Sequence, residues 1–465
     1  MSVDALVARL RALDVRLEAS GDVLRYDAPR HVLVPDLLAE LKRHKPELLA
    51  CLSGVAEQAP VSTQQEAMLA AVERSPRPQV YSVGARLRFT GRLDVAALRR
   101  AVSEVVARHV GLRSRFVRDR DGQWVQQALA VDSVPLAVED LRGHGAAVVE
   151  QVCREAADTA FDLGRSSVPM CRLLRVDEDS WVLMFVTHHI STDGWAQRVV
   201  FRELAELYRA ATTGTEPCLT LPGLQATDYA RWQRDRDCPK QWLEFWSEHL
   251  RGADLSAVVP TDHPRSVRRT GAGNTVRLAV PRRIRTSVEE FARSRGVTAF
   301  AVLAAALGRW LAELSGAEDV LIPVSYANRG RRELETLVTC ARIPLGLLVR
   351  TPARVSFTVL VDQVHADFLA AMDNPIPVDR VLPEPRDDLV GFAFQNLPGP
   401  EVAFPGLSTR IDDVASTATR SDMTFGLVPS NDPEFGYQAW LEHSTDLWDP
   451  ATGHSLLQSY LDSLP

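Results

Sequence analysis

WVLMFVTHHISTDGWAQRVVFRELAELYRAAT, residues 181–212, is the stretch from which the rest of the chain can be read. Six apolar residues, Trp181 to Val186, have the continuity of a strand buried on both faces. After Gly194 the apolar residues return at helical spacing. A buried strand feeding a helix is the unit of an α/β layer protein. Between the two lies THHISTDGWA (187–196), with two adjacent histidines, Asp193 four residues after the second, and then Gly194. Successive side chains on a strand point to opposite faces, so His188 and His189 cannot both address one point, which argues against a shared metal. Asp193 stands at the foot of the helix, where a carboxylate caps free N–H groups. Gly194 permits close approach to the backbone. Imidazole, with a pKa near ~6.5, can take a proton from an attacking amine or hydroxyl, and nearby N–H groups can stabilise an oxyanion. Spacing alone leaves three readings open: a general base, a packing residue at a strand end, and a metal site that lacks further ligands.

Outward from this stretch the chain alternates strands and helices. VYSVGARLRF (80–89) and VLIPVSYA (320–327) read as strands, and DVAALRRAVSEVVARH (94–109) as an amphipathic helix. VTAFAVLAAALGRWLAELSG (297–316) reads as a buried helix, with Thr298 as N-cap and Gly316 as its stop. GAGN (271–274) is half a dinucleotide fingerprint placed before a strand and is discounted; no Walker loop or GxSxG elbow occurs. At 465 residues, 46% hydrophobic and 24% charged, the chain is long enough for two or three ordinary domains. A net charge of -7 gives no basic footprint for nucleic acid. No membrane span is expected, and Asp4 and Arg9 interrupt any secretory signal. Six scattered cysteines (51, 153, 171, 218, 238 and 340) without a CxxC pair suggest reduced thiols and a cytoplasmic location, with no metal expected.

The first 53 residues read as a separate unit. Leu6, Val7, Leu10 and Leu13 have helical spacing, and VRLEASGDVLRY (15–26) gives a hairpin around Ser20-Gly21-Asp22. Pro35 opens a second helix with Leu37, Leu38, Leu41, Leu48 and Leu49 on one side and a kink expected at Pro46. SGVAEQAP (53–60) reads as a polar linker. Between residues 25 and 45 five basic residues face three acidic ones, which suits an acidic partner.

This α-β-β-α pattern resembles the N-terminal β-hairpin docking domains of nonribosomal peptide and hybrid synthetases. The resemblance implies capture of a short C-terminal tail on an upstream acyl or peptidyl carrier protein, added to the hairpin edge. Arg16, Arg25, Tyr26, Lys42 and Lys45 are the expected tail contacts.

HHISTDG matches the HHxxxDG signature of nonribosomal peptide synthetase condensation domains, in the chloramphenicol-acetyltransferase-like superfamily. VSTQQEAML (61–69), RHVGLRSRF (108–116), ATDYARWQ (226–233), ANRGRRELETLV (327–338) and HSTDLWDP (443–450) resemble further family motifs in the right order. The resemblance implies an α/β fold of two chloramphenicol-acetyltransferase-like lobes in a V-shaped pseudo-dimer, 61–230 and 231–465, with a tunnel for carrier-borne pantetheine. It implies His189 as the catalytic histidine, His188 as structural, Asp193 as a brace paired with Arg329, Gly194 as clearance for the thioester, and Arg113 as scaffold. No bound cofactor is implied; the substrate arrives on the phosphopantetheine of a carrier protein.

Three segments depart from the family pattern: TCARIPLGLLVR (339–350) replaces a Gly-Phe-Phe-Val-Asn run, DNPIPVDRV (373–381) lacks a histidine, and RDDLVGFAFQN (386–396) is shortened. They fall on the family's acceptor side, so an unusual acceptor is expected, free or carrier-bound. The sequence given stops about 15 residues after TDLWDP, without an adenylation, carrier or thioesterase region. The expectation is therefore a free-standing, chain-releasing enzyme of the enacyloxin-synthase type. It would move a polyketide or peptidyl acyl group to an amine or hydroxyl, giving an amide or ester. An epimerisation domain of the same fold, or a non-catalytic recruitment platform, are the alternatives.

Overall fold

The computed structural model describes residues 6, 9–10, 13, 15–20, 23–28, 32, 34–45, 48 and 55–465, apart from 237, 267–268, 353–354, 383, 385, 397–401, 415 and 431. Strands β1 (Arg16–Ser20) and β2 (Val23–Asp27) form the expected hairpin, and α1 (Pro35–Arg43) follows. Leu6, Leu10, Val15, Leu37, Leu41 and Leu48 make one small core. Leu38 and Leu13, read from the sequence as part of the apolar faces, are exposed. Leu37 and Leu41 are four positions apart and share a stripe that Leu38 flanks. Gly21 and Asp22 of the turn, the kink at Pro46, Leu49 and Cys51 lie outside the described residues.

The polar segment read as a linker is a strand: β3 (Val55–Pro60) pairs antiparallel with a partner at 124–129. As an edge strand it needs only a backbone ladder, so it carries little apolar pattern. Helix α2 (Thr63–Arg74) opens with a capping box between Ser62 and Gln65. Then come β4 (Ser82–Thr90), α3 (Val95–Arg108), β5 (Ser114–Arg118), β6 (Trp124–Leu129), β7 (Leu136–Asp140) and α4 (Ala146–Ala157). The first lobe continues with β8 (Met170–Asp177), β9 (Ser180–His188) and α5 (Gly194–Thr213). Its sheet places β9 between β4 and β8. Leu183 and Phe185 of β9 pack under α3 and α5, while Val182, Met184 and Val186 pack under α4. Burial on both faces is why this strand reads as one apolar run.

After α6 (Ala226–Arg234) comes α7 (Lys240–His249), whose Trp246 is buried in the core of the second lobe. That lobe holds β10 (Gly273–Pro281), α8 (Arg282–Arg295), α9 (Ala299–Ser315), β11 (Asp319–Tyr326), β12 (Ile343–Arg350), α10 (Phe357–Asp373) and β13 (Val390–Phe394). The chain ends with β14 (Ser408–Val414), β15 (Met423–Pro429), β16 (Phe435–Ser444) and α11 (Pro450–Asp462). Six strands run in the order β10-β16-β15-β13-β11-β12. Helix α9 is capped by Thr298 and stopped by Gly316, and most of its length is buried in this lobe's core. No single helix among the described residues is long and apolar enough to cross a membrane.

The lobe boundary expected at 230/231 falls inside a helix, α6, whose residues run to Arg234. More importantly, β14 leaves the second lobe and pairs antiparallel with β4 of the first, Ser408 opposite Thr90 and Val414 opposite Gly84. Ion pairs from Asp412 to Arg86 and Arg88 fasten it there.

Candidate active site

The strand β9 ends at His188, and the chain turns before His189. Ile190 anchors the turn in a core with Val61, Leu69, Phe116 and Leu163. The His189 amide donates to the Tyr81 carbonyl at 2.7 Å. Its ring Nδ1 lies 2.7 Å from the carbonyl oxygen of Thr192. A carbonyl only accepts, so Nδ1 carries the hydrogen and Nε2 keeps the lone pair. His188 has the opposite assignment: its Nδ1 accepts from the Ile190 amide at 3.0 Å. Its ring stacks on Tyr81 and meets Phe161 edge-on.

Asp193 is buried and caps α5 by accepting from the Ala196 amide at 2.8 Å. Its remaining partners all come from the far side of the lobe boundary. Arg329 Nη2 lies 3.1 Å from Oδ2, and the amides of Ala341 and Arg342 donate to the same oxygen at 3.0 and 3.2 Å. Arg329 is buried too and also donates from Nη2 to the carbonyls of Leu337 and Thr339. With donors from both lobes on its two oxygens, the carboxylate is a junction between them. Trp195 Nε1 adds a bond to the Glu335 carbonyl at 2.8 Å. Gly111, in the RHVGLR segment, lets the 338 loop come this close: a Cβ there would sit 2.2 Å from the Val338 carbonyl oxygen.

Comparison with known proteins fixes the family. The condensation-domain profile matches residues 55–429, and the TubC N-terminal docking-domain profile matches residues 3–53. This chain belongs to the condensation-domain family. It is 31% identical over 408 residues to malpinin synthetase of Mortierella alpina, covering 84% of this chain and 5% of that protein. Phosphinothricin tripeptide synthetase PhsC of Streptomyces viridochromogenes is 32% identical over 416 residues, 84% of this chain and 38% of that protein. The chain thus spans well under half the length of either relative. The crystal structure of SgcC5 from Streptomyces globisporus superposes with a TM-score of 0.75 at 25% identity, over 87% of this chain and 97% of that one. Both lobes are therefore of the chloramphenicol-acetyltransferase-like type. Condensation domains of this family transfer acyl groups to form amide or ester bonds.

Within this condensation domain the structure brings His188, His189, Asp193 and Arg329 together around one loop. Gly194 is exposed as the first residue of α5. Arg113 donates to the carbonyls of Ala107 and Leu129, a scaffold placement. In the docking domain, Tyr26 and Lys42 are exposed and Lys45 is partly buried. Arg16 and Arg25 sit on the two hairpin strands, and their side chains lie outside the described residues. Sequence reasoning missed four contributors. The carbonyls of Tyr81 and Thr192 hold His189 through backbone, which leaves no side-chain signature. Arg342 and Arg420 lie in segments where this chain leaves the family pattern or outside its motifs.

Burial lowers the pKa of both histidines, His188 to about 3 and His189 well below the ordinary value. The positive charges of Arg420, on both, and of Arg342, on His189, act in the same direction. Both imidazoles are neutral at neutral pH. Unfolding releases them to titrate near 6.5. Below that pH the unfolded chain binds protons that the native chain does not. The stability these buried rings carry is complete above pH 6.5 and declines as pH falls toward the folded values. The His188 ring is expected to cost about 1.4 kcal/mol per pH unit in that window. Urea unfolding between pH 7 and 4.5 measures it, and replacing His188 by phenylalanine should flatten the slope.

Proposed function

We propose that this condensation domain moves an acyl group from the phosphopantetheine thioester of a carrier protein to a free amine or hydroxyl, releasing the chain as an amide or ester. The observation that carries this reading is the tautomer of His189. With Nδ1 committed to the Thr192 carbonyl and the ring neutral, Nε2 can accept a proton at the junction of the two lobes. The acceptor's nitrogen or oxygen attacks the thioester carbonyl, and its proton passes to Nε2. That attack forms the C–N or C–O bond; collapse of the tetrahedral intermediate then breaks C–S, and the proton leaves with the pantetheine thiol. Asp193, Arg329 and the Ala341 and Arg342 amides keep the loop in place, and Gly194 gives the thioester clearance. The non-family sequences at 339–350, 373–381 and 386–396 favour an acceptor other than the usual carrier-bound aminoacyl group.

Residues 3–53 would capture an acidic C-terminal tail of the upstream carrier along the β1–β2 hairpin. Arg16, Arg25, Tyr26, Lys42 and Lys45 are the proposed contacts. The test loads a tailed carrier with a labelled acyl chain, adds this protein and a panel of amines and alcohols, and follows intact mass. Acylated acceptor and unloaded carrier are the expected products. Acyl groups that exchange deuterium at the α-carbon without transfer would instead identify an epimerase. Deleting residues 1–53 should lower the transfer rate about tenfold or more at low micromolar carrier, and saturating carrier should restore it, because docking acts through effective concentration. An unchanged rate at low carrier would remove the docking role.

A further inference from the structure

Two guanidinium groups near His189 have no carboxylate partner among the described residues: those of Arg342 and Arg420. The backbone amide of Arg342 is bonded to Asp193, which places this residue immediately beside the histidine loop. Its partly buried side chain reaches Ser325 Oγ on β11 at 3.1 Å, a neutral contact. Arg420 lies between β14 and β15 and is exposed. The fold carries it to the same end of the first-lobe sheet. Ser82 pairs with His188, and Ser82 Oγ donates to the Thr159 carbonyl. The neighbouring Asp158 holds the Ser416 hydroxyl and the Thr417 amide and hydroxyl. Ala418 then bridges Ala272, so Arg420 follows just beyond the histidine end of β4 and β9. The charges around it agree with the placement: its field reaches Tyr81, His188, His189, Cys340 and Arg342.

Of the carboxylates in this region, Asp158 is engaged by the Ser416 and Thr417 hydroxyls and Glu442 by the Thr419 hydroxyl, and the others have cations. Asp193 is paired with Arg329, and Asp387 and Asp422 are paired with Arg269, with Arg265 also on Asp422. The side-chain charges acting on His189 are those of Arg342 and Arg420, both positive and both on donors suited to a carboxylate. We propose that Arg342 and Arg420 receive the carboxylate of an anionic acceptor, so that the nucleophile delivered to His189 belongs to a free amino or hydroxy acid. This rests on the acyl-transfer reading and names its substrate class. A bound carboxylate would also offset the positive field on His189, raising its affinity for the acceptor's proton only when acceptor is present.

The experiment offers the full chain an acyl-pantetheine donor and two acceptor pairs that differ only in charge: glycine with glycinamide, and 3-hydroxypropionate with 3-hydroxypropionamide. The carboxylate of at least one pair should be preferred about tenfold or more in kcat/KM, the scale of a charge-assisted hydrogen bond. In R342Q and R420Q that preference should collapse toward one, whatever happens to the absolute rates. Equal use of acid and amide by the unaltered protein would overturn the proposal, as would a preference that survives both substitutions. Should no acceptor be acylated, the acyl-transfer reading itself fails. Saturation-transfer NMR of the same four probes then decides the carboxylate site alone: contact restricted to the acids and lost in R420Q upholds it, and contact indifferent to charge overturns it.

Discussion

Replacing His189 by alanine is expected to lower acyl transfer by about 10²–10⁴-fold, the usual contribution of a positioned general base. The reason is the committed hydrogen at Nδ1, which leaves Nε2 as the basic atom. Its low pKa means the base is already deprotonated at neutral pH, so the wild-type rate should be flat from pH 8 down past 6.5 and fall only in more acidic buffer. Single-turnover transfer from a loaded carrier, measured across this range, checks both statements. An acid limb at pH 6.5 would show that His189 is not held in its neutral form. Transfer by the alanine variant at the wild-type rate would remove it from the chemistry.

Replacing Arg329 by alanine should cost about 3–5 kcal/mol of stability, the range for removing one member of a buried ion pair. The Asp193 carboxylate would keep its amide donors from Ala196, Ala341 and Arg342 but lose the cation that faces it. Asp193→Asn strands the Arg329 guanidinium instead, in a place where its Nε and Nη1 already lack partners. Each single change should therefore be severe, and the double change milder than their sum. Chemical denaturation of the two single variants and the double variant measures the coupling. Because the pair joins two lobes, the single variants should also unfold over a broader transition. Additive losses would mean that the pair contributes no coupling.

Much of this was legible in the sequence because it is written in side chains. β9 and α9 announce themselves by unbroken apolar runs, and Thr298 and Gly316 mark a helix by known end chemistry. The Asp193–Arg329 contact was expected from motif resemblance alone and is present as a 3.1 Å ion pair. What escaped has no local pattern. β3 is polar because it lies at an edge, where backbone pairing suffices. β14 alternates like any half-buried strand, and nothing in STRIDDV (408–414) says which sheet it joins. The carbonyls that orient His189 belong to Tyr81 and Thr192, whose side chains do not take part in those bonds.

The passage of β14 into the first sheet sets an order of events during synthesis. Until residues 408–414 leave the ribosome, β4 presents an unpaired edge beside the strand that carries the histidines. That edge could recruit any extended segment nearby. The first lobe is therefore made early and closed late, and the histidine end of its sheet is sealed only after most of the second lobe has been translated.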